Sequence, residues 1–187
     1  MNTELLGLSI DSNASHLAWM NDIFIRTGIT LQFPIVADRS GEIARLYGMI
    51  SKDVSNTKTV RDVVIIDQNG IIRLILTYPL NVGRNIAEII RTVQALQIAD
   101  CENASTPVNW IPGQPLIVPA PNTYPELVER KEFIEKNKNG VSWYLSFREP
   151  EEKLRLWTEN FWKMFNWGRR NFKKKPVPNC GSKENVI

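Results

Sequence analysis

Few side chains in this 187-residue sequence could do nucleophilic, redox or metal chemistry: two cysteines, Cys101 and Cys180, and one histidine, His16. One His and two widely separated Cys cannot assemble a Cys/His tetrad, so a zinc-finger reading is excluded, and no metal or cofactor is expected. Cys101 lies between Asp100 and Glu102, whose charges should raise its pKa and deplete the reactive thiolate. His16 falls on a helical face with Trp19, which reads as a structural hydrogen-bonder rather than a general base. Taken alone, Arg61 reads as a strand-edge surface charge and Arg84 as a cation near a helix start.

The first hundred residues must position whatever chemistry exists, and they alternate strand and helix. Leu5 to Ile10 is a short apolar run delivered into Asp11-Ser12-Asn13, a buried strand ending in a cap and turn. A helix should follow with Ser15 as its cap, and with Leu17, Trp19, Met20, Ile23 and Phe24 on one buried face. Phe33 to Asp38 reads as a second strand, and Ser40 to Gly48 as a short helix stopped by its glycine. Val60 to Asp67 and Ile71 to Tyr78 flank Gln68-Asn69-Gly70, a strong hairpin signal. Asn85 to Ala99 carries Ile86, Ile89, Ile90, Val93 and Leu96 at spacings of three and four, which predicts a helix. The pattern is α/β with a mixed sheet and flanking helices.

After Asp100, prolines 107, 112, 115, 119, 121 and 125 exclude a helix and predict an extended arm. A polar helix over Tyr124 to Lys138, an aromatic strand-like run over Val141 to Phe147 and a terminal helix from Glu151 to Lys175 should follow. The expected domains are 1–100 (core), 101–150 (arm) and 151–187 (aromatic, basic tail and disordered end).

Overall the chain is 43% apolar and 23% charged, with a formal charge of +3, a globular profile. Residues 1–150 hold 14 Lys and Arg against 16 Asp and Glu, whereas 151–187 hold 9 against 4. The basic character belongs to the tail, so a nucleic-acid footprint over the whole chain is not indicated. Trp157, Phe161, Trp162, Phe165, Trp167 and Phe172 beside Lys163, Arg169, Arg170 and Lys173 to Lys175 could pack on a partner subunit or make a weak contact with an anionic membrane surface. No apolar run is long enough to span a bilayer. Residues 1–6 show no export signal, and two cysteines that look unpaired fit a reducing cytoplasm.

Several ordered motifs resemble one family. LLGLSIDSNASHLAW (5–19), FPIVAD (33–38), TVRDVVIIDQNGIIR (59–73), YPLNVGRN (78–85) and TPVNW (106–110) are similar to the 1-Cys, peroxiredoxin-6-like branch of the AhpC/TSA peroxiredoxins. GQPLIVPAP (113–121) and SWYLSF (142–147) resemble the C-terminal arm of its bacterial and archaeal members. The resemblance implies a thioredoxin-like fold, a homodimer or ring of dimers, and thiol-dependent reduction of hydrogen peroxide and organic hydroperoxides. It also implies that Arg61 contacts both thiolate and peroxide, and that Arg84 lies close to the same pocket.

In that family the peroxidatic cysteine sits in a Thr-x-x-Cys motif upstream of the strand matched by Leu5 to Ile10. Neither Cys101 nor Cys180 matches that position, so no catalytic cysteine is expected in these residues. The additional cysteine pair of archaeal members is replaced by Gly140 and Ser146. The sequence thus reads as a peroxiredoxin lacking its N-terminal part and inactive as it stands; the alternatives are a non-catalytic interaction subunit and a membrane-surface binder acting through the tail. The strand before the nucleophile would lie between those matched by Leu5 to Ile10 and Val63 to Ile66, so its loss should leave unpaired backbone and uncovered apolar faces.

Overall fold

The computed structural model describes residues 3–50 and 60–151. The chain forms two compact units, one over residues 2–85 and one beginning at Ile86.

In the first unit, β1 (Gly7–Ser9) pairs in parallel with β2 (Ile35–Ala37), and the intervening α1 (Asn13–Thr27) is the crossover that parallel pairing requires. Ser12, not Ser15, caps α1, its Oγ accepting from the Ser15 amide at 3.2 Å. Three consecutive residues there can cap a helix, so composition alone does not choose among them. Only His16 is buried on α1. Leu17, Trp19 and Phe24, the expected core face, are 67, 50 and 53% exposed. The reason is packing, since no second apolar layer among the described residues covers that face.

Helix α2 (Glu42–Leu46) is started by Asp38, which is 5% exposed and whose Oδ2 accepts from the Ala44 amide at 2.8 Å. β3 (Arg61–Ile66) and β4 (Ile72–Tyr78) form the predicted antiparallel hairpin, with Arg61 opposite Tyr78. Gly70 closes its turn at φ 78°, where a side chain would be strained. Among the described residues the two strand pairs remain separate two-stranded sheets.

The second unit opens with α3 (Ile86–Glu102), which runs three residues beyond the predicted end. Its Ala95 and Ile98 pack with fully buried Trp110 and Leu116 into a closed cluster. The Trp110 indole donates to the Gln114 carbonyl at 3.0 Å, so the ring is buried with its polar atom satisfied. The proline-spaced arm contributes β5 (Leu116–Ile117). α4 (Tyr124–Asn137) begins with a capping box between Thr123 and Glu126, with Pro125 in its first turn.

The aromatic run is a hairpin, not one strand: β6 (Gly140–Ser142) and β7 (Leu145–Arg148) meet at Trp143-Tyr144. Neither turn residue has positive φ, so this turn needs no Gly or Asn and gives no turn signal in sequence. β7 lies between β5 and β6. The expected terminal helix, Glu151 to Lys175, lies outside the described residues from position 152 onward.

Candidate functional site

Two arginines are held near the start of β3, each on a main-chain carbonyl. Arg61 opens the strand, and its Nε donates to the Leu80 carbonyl at 2.8 Å. Arg84, in the loop leading to α3, donates from Nη2 to the Asp62 carbonyl at 3.2 Å. The geometry follows from the hairpin: β4 returns the chain beside Arg61, and residues 79–85 then curl back over the first residues of β3. Tyr78, opposite Arg61 in register, accepts a hydrogen bond from the Asn85 amide on its phenolic oxygen at 3.4 Å.

Main-chain carbonyls, not carboxylates, orient both arginines, and neither is ion-paired among the described residues. Carbonyls fix a guanidinium without neutralising it, so both retain positive charge and free N–H donors for an anion or a developing oxyanion. Arg73, elsewhere on the same hairpin, contrasts with them: it pairs with Asp67 at 3.4 Å. The Ile71 amide, foremost among its donors and followed by Asn69 and Arg73, holds the Asp67 carboxyl below its ordinary value.

Asp62 is 9% exposed, and its Oδ1 has no partner among the described residues. Pattern reasoning missed it, because a single Asp between Arg61 and Val63 looks like half of a surface pair. His16 is buried, as a structural histidine should be, but neither ring nitrogen has a hydrogen-bond partner among the described residues. The expected hydrogen-bonding role is corrected accordingly.

Cys101 sits in the last turn of α3, packed against the Trp110 cluster, and it is disulfide-bonded. Sequence distance cannot show which sulfurs meet, so the reading of unpaired cysteines fails here, and with it the argument for a reducing compartment. Beside it, Glu102, whose side chain is 2% exposed, anchors the arm: its Oε2 accepts from Arg148 at 2.5 Å and its Oε1 from the Glu151 amide at 2.9 Å. Gly140 and Ser146 face each other across β6 and β7, and Ser146 Oγ accepts from Arg130 at 2.7 Å.

Comparison with known proteins decides the family. The AhpC/TSA family matches residues 1–75, and the C-terminal domain of 1-Cys peroxiredoxin matches residues 95–136. Peroxiredoxin 2 of Caldanaerobacter subterraneus is 51% identical over 147 residues, covering 79% of this chain and 66% of the relative. The peroxiredoxin of Aquifex aeolicus is 44% identical over 154 residues, covering 77% of this chain and 68% of its own. The chain belongs to the peroxiredoxin family. Its α/β fold is the thioredoxin-like one of those thiol peroxidases: the yeast mitochondrial 1-Cys peroxiredoxin superposes with a TM-score of 0.65 at 36% identity, covering 79% of this chain and 71% of that chain. Peroxiredoxin 6 of Arenicola marina gives a TM-score of 0.65 at 29% identity, covering 80% and 71%. This peroxiredoxin chain spans about two-thirds of the length of the curated relatives it matches.

Proposed function

We propose that this peroxiredoxin chain contributes the arginine wall of a pocket for thiol-dependent reduction of hydrogen peroxide and organic hydroperoxides. The observation that carries this reading is that Arg61, which opens β3, and Arg84, held on the Asp62 carbonyl of the same strand, are both bound to main-chain carbonyls and ion-paired to no described residue. In the reaction a cysteine thiolate attacks one peroxide oxygen, the O–O bond breaks, and the sulfur becomes a sulfenic acid. The electron pair of the broken bond goes to the leaving oxygen, where guanidinium donors stabilise the charge until it is protonated. A thiol reductant then returns the sulfur to its starting state.

The 187 residues do not offer that thiolate. Cys101 is disulfide-bonded, and by the family resemblance neither it nor Cys180 stands at the peroxidatic position. The polypeptide of these residues alone is therefore expected to consume no peroxide catalytically with dithiothreitol as donor. Turnover that persists in the Cys101→Ser, Cys180→Ser double variant would overturn the assignment of the nucleophile.

The proposed assembly is a homodimer or ring of dimers built through the arm. Val141, Trp143 and Tyr144, at the tip of the β6–β7 hairpin, are 75, 39 and 58% exposed, and clustered aromatics of that kind suit a subunit contact. Light scattering on a Trp143→Ser, Tyr144→Ser variant should give a smaller species than the parent; an unchanged mass removes the hairpin from the interface.

A further inference from the structure

Two Asn-Gly dipeptides occur in the sequence, Asn69-Gly70 and Asn139-Gly140, and the fold gives them opposite settings. Asn69 is exposed in the turn between β3 and β4. Gly70 adopts φ +70° to +80° in open space, a Cβ there meeting nothing within 4 Å. One hydrogen bond restrains the glycine nitrogen, which donates to the Asp67 carbonyl at 3.0 Å.

Asn139 is tied down through both its side chain and its main chain. Its side-chain amide donates to the Phe147 carbonyl at 3.0 Å, and its own carbonyl accepts from the Phe147 amide at 2.7 Å. The remaining side-chain oxygen is buried. Gly140 opens β6 so closely against β7 that a Cβ would lie 3.0 Å from the Leu145 carbonyl oxygen.

An asparagine followed by glycine is chemically labile because the glycine nitrogen can reach the side-chain Cγ; glycine has no Cβ to obstruct it and samples the required backbone angles freely. The new N–Cγ bond closes a succinimide ring, the glycine N–H proton passes to solvent, the bond from Cγ to the amide nitrogen breaks, and the departing NH2 takes a proton from solvent and leaves as ammonia. One water then opens the ring at either carbonyl, giving aspartate or an isoaspartyl link. No oxidant or reductant takes part.

We propose that Asn69 is a site of spontaneous deamidation and that the fold selects it over Asn139. The product bears directly on the hairpin that begins with Arg61. An isoaspartyl link adds a methylene to the main chain inside a turn held by the Asp67 carboxylate, which accepts from the amides of Asn69 at 2.9 Å and Ile71 at 3.0 Å. It also places a second carboxylate beside Asp67. The hairpin therefore ages from the end opposite the arginines.

The test keeps the purified chain folded in mildly alkaline buffer and follows both sites by peptide mapping, with fragmentation that separates aspartyl from isoaspartyl products. Position 69 should convert at least roughly tenfold faster than position 139, since the reaction at 139 must first free a side-chain amide hydrogen-bonded to the Phe147 carbonyl within the β6–β7 hairpin. In concentrated urea the two rates should converge, which ties the difference to the fold rather than to neighbouring residues. Equal rates in the folded chain, faster conversion at 139, or no conversion at 69 would each overturn the proposal.

Discussion

The two compact units solve the burial problem differently. From Ile86 onward, one helix and a proline-rich arm close a cluster around Trp110 and Leu116, both fully buried. Among the described residues of 2–85 the buried side chains are Ala44, His16, Asp38 and Asp62, while Leu5, Leu6, Leu17 and Ile25 are each more than 60% exposed. Yet the second arrangement carries the arginine pair. Among the described residues its short strands form two separate pairs, a state that isolated hairpins sustain only marginally. The contrast teaches that, among the described residues, α3 and the arm together close a core, whereas the arginine-bearing unit leaves its large apolar side chains exposed.

The sharpest way to break this comparison is to attack the arm's centre. Trp110→Ala should destabilise the second unit by about 3–5 kcal/mol, read as a lost or lowered transition in chemical denaturation. Leu17→Ala, on an exposed face, should change stability by no more than about 0.5 kcal/mol. Equal effects would contradict the claim that only one unit owns a closed core.

Next in size is Arg148→Ala, which strands the Glu102 carboxylate in its buried site and should cost about 3 kcal/mol. The companion Glu102→Gln should cost less, because an amide still accepts from Arg148 and leaves no buried charge. Thr123→Ala removes the side-chain half of the α4 capping box, worth about 1 kcal/mol, visible as a small drop in helicity and midpoint.

The smallest effect concerns pH. The Asp67 carboxyl is held below its ordinary value chiefly by the Ile71 amide, so its native form favours the ionised state more than the unfolded form does. Its contribution to stability is complete above the unfolded-state value and is lost as pH falls through the lowered native value. Asp67→Asn should remove this acid-side slope from a series of melts, leaving the neutral-to-alkaline side flat.

Much of the scaffold was legible in the sequence because its signals are local. Asn69-Gly70 between two apolar runs marked the hairpin, and the spacing of Ile86, Ile89, Ile90 and Val93 marked α3. What escaped depends on partners distant in the chain. Arg61 and Arg84 look like any surface cation until the hairpin brings the Leu80 and Asp62 carbonyls to them, and only family resemblance singled them out. The Arg148 to Glu102 anchor spans 46 positions, and no periodicity encodes it. The Trp143-Tyr144 turn escaped for a different reason: it uses aromatic residues at negative φ, where composition gives no warning.

The central claim, that Arg61 and Arg84 polarise a peroxide, is tested most directly in a chimera in which this chain replaces the matched segment of the Caldanaerobacter peroxiredoxin 2. Hydrogen peroxide consumption with a thiol donor should be retained in the chimera and fall by roughly a hundredfold in its Arg61→Ala variant, the usual consequence of deleting one oxyanion donor. A chimera whose turnover is unaffected by Arg61→Ala would contradict the account.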